Sequence, residues 1–318
     1  MNKNLQKRLK RPADIVIKEC LSVKKGERFV IVIDEPCREI GYALFNSAKT
    51  ITDPVMVEML PREIHGEEPP ALIAELLRNC DVFVVPTSHS LTHTQARIQA
   101  CLHGTRGATM PGITPEVMIR TLNADYKRIS ALTHKAAKVL TQARKVCIKT
   151  PLGTNLELSI EGRPGDPDTG IISKPKDFSN LPAGEAYVAP VENKTNGVVV
   201  IDGSFAPIGM LKQPVVLKVV AGEIKEVTGN WEMAAIFRKY GKKERTLCEL
   251  GIGTNYKAII TGNVLEDEKV LGSIHVAFGN NLGFGGKNKA CIHLDGIVKK
   301  PCVWLDGKPF IENGRLLI

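Results

Sequence analysis

Residues 27–35 read ERFVIVIDE, a short unbroken apolar run closed by Lys25-Gly26 on one side and Pro36 on the other. A run of that length with those boundaries reads as a buried β-strand. Working outward, residues 38–50 have helical spacing and residues 54–60 (PVMVEML) form a second strand-like run. Residues 69–79 carry apolar side chains at 72, 73, 76 and 77, which is one face of a helix. Residues 81–86 (DVFVVP) give a third strand, 92–103 a helix, and 106–112 (RGATMPG) a short fourth strand. Residues 114–125 predict another helix, with Thr114 as N-cap, Pro115 in the first turn and Glu116 close behind. Strands alternating with helices imply parallel βαβ units, so this part of the chain is expected to be an α/β, Rossmann-like, doubly wound parallel sheet. In such sheets the groups that contact ligands gather at the carboxyl ends of the strands.

The texture changes further on. Residues 126–144 read as one long helix leading out of the first domain. After Lys145 the sequence VCIKTPLGTNLELSIEG alternates as two strands joined at Gly153-Thr154-Asn155, a hairpin signal. Residues 163–180 are rich in Pro, Gly and Asp and read as a loop. Apolar runs at 180–192, 196–205, 214–229, 246–253, 273–279 and 290–298, with one helix at 231–240, predict a mixed, mostly β domain. The expected organisation is therefore residues 1–145 as the α/β domain and 146–318 as a β-rich domain.

Composition narrows the classes. The chain has 318 residues, enough for two domains, with 43% apolar and 24% charged residues. Its formal charge is +9, but aromatics are only 5% and the basic residues beyond the N-terminal dozen are dispersed. Single-strand binders use aromatic stacking platforms, so no nucleic-acid partner is expected. No apolar run approaches the roughly 20 residues that span a bilayer, so no membrane partner is expected either. The basic N-terminus MNKNLQKRLKRP lacks the apolar core of a secretory signal. The eight cysteines form no CxxC pair and read as reduced thiols, which points to the cytoplasm. There is no GxGxxG after the first strand and no GxxxxGK[ST], so nucleotide binding has no motif behind it.

Candidate functional residues fall in two places. After the third strand the chain reads VVPTSHSLTHTQAR, with His89 and His93 between a strand end and a helix start. His93 in the first helical turn would be a substrate-binding group, where the helix N-terminus favours an anion. The competing reading has Ser90 or Thr92 capping the helix and both histidines on the surface. The second place is the stretch from Cys248 to Asp295. His293 and Asp295 are two apart, and on a strand they share a face and offer a nitrogen and an oxygen to one ion. His275 and Glu249 lie inside apolar runs, where a histidine needs a partner and a carboxylate needs a cation or donors. Glu185 follows Pro182-Ala183-Gly184, a turn-like segment that can bring it inward. Imidazole and carboxylate together suit zinc, cobalt, manganese or iron(II), although there is no HExxH.

Five blocks carry a resemblance: NLPAGE (180–185), NGVVVIDGS (196–204), ELGIGTN (249–255), DEKVLGSIHVAFGNN (267–281) and HLDG (293–296). Together, and in this order, they resemble the aminopeptidase T family of metallo-aminopeptidases, in particular its shorter, diverged members. That resemblance implies a hydrolase acting on peptides and a homodimer. It also implies a centre of two divalent ions (zinc, cobalt or manganese) in the second domain, with Glu185, Glu249, His275, His293 and Asp295 as ligands. It further implies a metal-activated water as nucleophile, with Glu185 or Glu249 as the base. One feature departs from the family: the stretch after His275, AFGNNLGFGG, has Phe278 and Phe284 where better-studied members have a tyrosine. The family is similar in fold to ring-cleaving dihydroxypyridine dioxygenases, which use two histidines and an aspartate on iron(II). His293 and Asp295, with His275 as the nearest further histidine, fit that set. A relative that keeps the scaffold without the chemistry is the third reading.

Overall fold

The computed structural model describes residues 2–318. Two compact units divide the chain: Met1–Lys127 with Thr169–Ala183, and Arg128–Asp168 with Gly184–Ile318.

In the first unit, α1 (Lys3–Ile15) precedes β1 (Phe29–Ile33), α2 (Arg38–Ala48), β2 (Val55–Glu58), α3 (Ala71–Asn79) and β3 (Val82–Thr87). Then come α4 (Gln95–Leu102), β4 (Arg106–Pro111) and α5 (Pro115–Thr121). Every residue of β1 and β3 is buried, as expected of strands covered on both faces. The sheet is parallel, with order β2-β1-β3-β4 and a fifth strand described below. Its order reverses direction at β1 and β3, which is where a doubly wound sheet opens a crevice. Thr94 and Thr114 cap α4 and α5 by accepting from the backbone N–H of Arg97 and Val117, each at 3.3 Å.

The second unit opens with α6 (Tyr126–Gln142), of which the part from Arg128 on belongs to it. The hairpin β5 (Lys145–Lys149) and β6 (Asn155–Ser159) follows, then β7 (Gly165–Asp168). The chain next enters β8 (Phe178–Asn180), which pairs in parallel with β4 as the fifth strand of the first unit's sheet. It returns as β9 (Glu185–Val188), β10 (Asn196–Ile201), β11 (Ser204–Phe205), β12 (Gly209–Met210), β13 (Val215–Val220) and β14 (Glu223–Thr228). After α7 (Trp231–Arg238) come β15 (Leu247–Gly253), α8 (Val264–Asp267), β16 (Ile274–Gly279) and β17 (His293–Val298). The closing hairpins are β18 (Cys302–Leu305), β19 (Lys308–Glu312) and β20 (Arg315–Leu316).

These strands form two sheets, ordered β14-β13-β10-β6-β5-β18-β19-β20 and β12-β11-β17-β16-β15-β9-β7. One hydrophobic core joins them. Val146, Leu156, Val199, Leu217 and Val303 come from the first sheet; Val188, Leu250, Ile252, Val276 and Phe278 come from the second. A period of two explains this: along β13, Val215, Leu217 and Val219 point in while Val216, Lys218 and Val220 point out.

The fold class is therefore as the sequence implies, a parallel α/β sheet followed by antiparallel sheets. Two details differ. The stretch 163–180 holds β7 and β8 as well as loop. Its Pro167 is tolerated because β7 is the edge strand, where a missing N–H breaks no ladder. The units also part at 127/128 instead of at 145, because α6 buries Ala136, Ala137, Leu140 and Ala143 in the core of the second unit.

Candidate metal centre

The seven-stranded sheet turns Ala186, Val188, Leu250, Ile252, Val276 and Phe278 to the core. The alternating positions carry a different set on the opposite face. Register aligns Asp168 with Glu185 and Asp166 with Tyr187, then Tyr187 with Gly251 and Gly251 with His275. It also aligns Glu249 with Ala277, Ala277 with Asp295, and Gly279 with His293. Glu185, Glu249, His275, His293 and Asp295 each sit beside a glycine or alanine on a neighbouring strand, so the face has room for large polar side chains to converge. Gly251 shows how tight this is: a Cβ there would lie 1.9 Å from Cε1 and 2.1 Å from Nε2 of His275.

Four of the expected residues form a connected group. Glu249 lies between the two histidines, with Oε1 3.1 Å from His275 Nε2 and Oε2 3.3 Å from His293 Nε2. His293 Nε2 is 3.4 Å from Asp295 Oδ1. The fifth, Glu185, places Oε2 3.4 Å from His275 Nε2. His293 Nδ1 faces the backbone carbonyl of Asn280 at 2.9 Å. A carbonyl only accepts, so Nδ1 carries a proton and Nε2 is the atom that faces Glu249 and Asp295, donating to them while the ring is protonated and open to an ion once that proton is lost. That is the usual arrangement of a metal-binding imidazole with its outer partner.

Two trios have ligand atoms within 4.8 Å of one another: Glu249, His293 and Asp295, and Glu185, Glu268 and His275. Two buried atoms of the group, Glu185 Oε2 and His275 Nδ1, have no hydrogen-bond partner. Buried polar atoms without partners are uncommon and call for an ion or water. The mixed imidazole and carboxylate set fits iron(II), manganese, zinc or cobalt.

Electrostatics set the two trios apart. Burial pushes the Glu249 carboxyl up, but hydrogen bonds from His275 and His293 outweigh it and hold the group well below the usual range. Burial pushes Glu185 up to about 8 against the pull of Lys269. Burial opposes the charge on His275, yet Glu185 and Glu249 raise it to about 9. Lys269 is 1% exposed, and its Nζ lies 2.5 Å from Glu185 Oε1, 2.7 Å from Glu268 Oε1 and 3.6 Å from Asp168 Oδ2. Burial disfavours its charge, but those carboxylates raise it well above its ordinary value.

Sequence reasoning missed several members. Lys269 and Glu268 sit in a charged EDEK run that reads as a solvated surface, and only the fold shows them buried. Tyr187 was legible, being two residues from Glu185 on one strand. Its ring meets Phe284 edge-on at 5.3 Å between centroids, and Phe284 meets His293 at 6.1 Å. Burial and the nearby carboxylates of Asp168, Glu249, Asp166 and Glu185 raise its hydroxyl well above the ordinary value, so it stays a hydrogen-bond donor. His93 lies elsewhere, in the first unit. It is exposed and precedes the Thr94 cap of α4, outside the first helical turn where the sequence placed it.

The geometry defines a two-unit α/β protein with a buried imidazole–carboxylate centre on one face of an antiparallel sheet. Residues 45–318 match the family described as 2,5-dihydroxypyridine 5,6-dioxygenase, and the chain belongs to that family. It is 25% identical over 246 residues to a 2,5-dihydroxypyridine 5,6-dioxygenase of Pseudomonas putida, covering 71% of this chain and 69% of that one. Among solved structures it resembles the 2,5-dihydroxypyridine dioxygenase of Pseudomonas putida KT2440, with TM-score 0.81 and 19% identity over 98% of this chain and 97% of that one. It also resembles AmpT of Thermus thermophilus, with TM-score 0.74 and 16% identity over 98% and 99%. At these identities both likenesses show the fold.

The aminopeptidase reading is corrected by these findings. The family is one of dioxygenases, which are oxidoreductases, so the hydrolase and protease assignments fall and the peptide substrate falls with them. The five blocks of sequence lie largely in the strands and turns that build the shared scaffold, and they reported fold instead of chemistry. Among the described residues no helix is long and apolar enough to cross a membrane.

Proposed function

We propose that this chain is an iron(II)-dependent ring-cleaving dioxygenase that acts on a flat dihydroxylated pyridine. The observation that carries the reading is the Glu249, His293 and Asp295 trio, with His275 joined to it through Glu249 at 3.1 Å, in a chain whose family is that of 2,5-dihydroxypyridine 5,6-dioxygenases.

His275, His293 and Asp295 are the two imidazoles and one carboxylate that would hold the ion, the set used by non-haem iron(II) oxygenases. Bound there, iron(II) would supply the one-electron chemistry that lets dioxygen react with an aromatic ring. The other roles belong to the side chains. Asn280 fixes the tautomer and orientation of His293 through its carbonyl. Gly251 gives the His275 ring its place. Glu249, 3.1 and 3.3 Å from the two Nε2 atoms, gathers the imidazoles around one point, and, held ionised, it would accept from a substrate hydroxyl once an ion takes those nitrogens. Phe284 stands edge-on to both His293 and Tyr187, and together the two rings offer an aromatic wall to a flat ring. Tyr187 adds a protonated hydroxyl that can donate to a ring nitrogen or oxygen.

The test is oxygen uptake by purified protein supplied with iron(II) and 2,5-dihydroxypyridine. Stoichiometric consumption of dioxygen and loss of the aromatic absorbance are expected, with His293→Ala inactive. No uptake by iron-loaded, folded protein with this or related dihydroxypyridines would sink the reading.

A further inference from the structure

The second trio is chemically able to bind an ion of its own. Glu185, Glu268 and His275 are all buried, and their ligand atoms lie within 4.8 Å of one another. Yet the Lys269 ammonium already contacts two of the three, at 2.5 and 2.7 Å, with Asp168 at 3.6 Å as a further counter-charge. By contrast, among the described residues no lysine or arginine is paired with Glu249 or Asp295. Two neighbouring clusters on one sheet face are thus treated differently. One has a fixed cation built from the chain; the other has imidazole and carboxylate groups facing each other with none.

We propose that Lys269 is a built-in substitute for a second metal ion, which confines the centre to one divalent ion at the His275, His293, Asp295 and Glu249 group. A lysine ammonium has three donors, and two of them point at the carboxylate oxygens an incoming ion would need. An ion coordinated by Glu185 and Glu268 would have to sit within a few ångströms of that ammonium, in a buried site where like charges repel strongly. His275 belongs to the second trio by distance, but its Nε2 also lies 3.1 Å from Glu249, so it is available to the first. Lys269 is a positioning residue in this account: it holds Glu185 and Glu268 and keeps cations off them, and it does not touch the reacting ring. The inference rests on the metal reading above only in requiring that the first group take an ion.

The test counts ions with manganese(II), which is stable to air and visible by electron paramagnetic resonance. Wild-type protein is titrated, and bound ions per chain are read from the loss of the free-ion signal. The same is done for Lys269→Met. Removing a buried ammonium can prevent folding, so the double variant Lys269→Met/Asp168→Asn is included. It leaves the second trio intact and removes one negative charge along with the positive one. Lys269→Arg keeps the charge and is the conservative control. Expected are one ion per chain for wild type and Lys269→Arg, and two for the folded variant that lacks the ammonium. Two ions in wild type overturn the proposal, and so does one ion in a folded Lys269→Met variant. No ion in any protein overturns it together with the metal reading. One ion in wild type without oxygen uptake sinks the dioxygenase reading and leaves the role of Lys269 standing.

Discussion

Gly251→Ala is the sharpest test of how the centre is assembled. The added Cβ would lie 1.9 Å from Cε1, 2.1 Å from Nε2 and 2.7 Å from Nδ1 of His275, whereas ordinary contact begins at 3.4 Å. The difference, 3.4 − 1.9, requires the ring to retreat by about 1.5 Å, since a side chain in a close-packed interior has few other places to go. Retreat of that size opens the 3.1 Å approach of His275 Nε2 to Glu249 beyond hydrogen-bond reach. Losing a hydrogen bond to a charged group costs about 1.5–3 kcal/mol, and overpacking costs about 1–3 kcal/mol. Misplacing one ligand of a metal site should weaken metal binding by about 10- to 100-fold, the range seen when outer-shell support is lost. The assay is manganese(II) titration beside thermal unfolding in chelator. Gly283→Ala serves as the control, because a Cβ there meets nothing within 4 Å. Wild-type metal affinity in Gly251→Ala, with a normal melting curve, would refute the placement of His275 as a ligand.

The other predictions concern single groups. His293→Ala and Asp295→Ala should each leave a folded protein that elutes from purification without metal, as elemental mass spectrometry would show. Chelator should lower the wild-type melting temperature and leave that of His293→Ala unchanged, because an ion that binds only the folded state stabilises it. Phe284→Ala removes one side of the aromatic wall. It should raise KM for a dihydroxypyridine by about 2- to 12-fold, from 0.5–1.5 kcal/mol for an edge-to-face pair, with a smaller change in kcat. Phe237→Ala, which breaks the stack joining Phe205 and Phe278 in the core, should cost about 3–5 kcal/mol in denaturant unfolding without altering metal content.

Much of this protein is legible in its sequence because the physics is local. The runs FVIVI and VFVVP are apolar at every position, as expected of a strand buried on both faces, and they fall in β1 and β3. The pair His293 and Asp295 is two apart on a strand, and period two alone puts both on one face. What the sequence hides is non-local. Phe178–Asn180 is too short and polar to be read as a strand, and it becomes one only because β4 offers an unpaired edge. Glu249, His275 and His293 are far apart in the chain, and only the antiparallel register brings their polar atoms within 3.1–3.3 Å. Lys269 is the extreme case. A lysine among Glu266, Asp267 and Glu268 is expected in water, and its burial follows from three carboxylates converging on it.

That residue also explains how a scaffold resemblance misled the reading of chemistry. Blocks such as ELGIGTN and SIHVAFGNN encode a sheet in which glycines and an alanine make room for large polar groups. Any enzyme that places imidazoles and carboxylates on such a face needs the same small residues between them, whatever ions it binds. Five ligand-type residues on that face suit two ions as well as one if positive charge is counted only from metals. Counting Lys269 changes the balance, because an ammonium 2.5 Å from Glu185 and 2.7 Å from Glu268 already neutralises half the cluster. Glu185 and Glu249, the one after a turn-like segment and the other inside an apolar run, thus have different environments. The first faces a fixed cation, and the second faces two imidazoles that an ion can draw together.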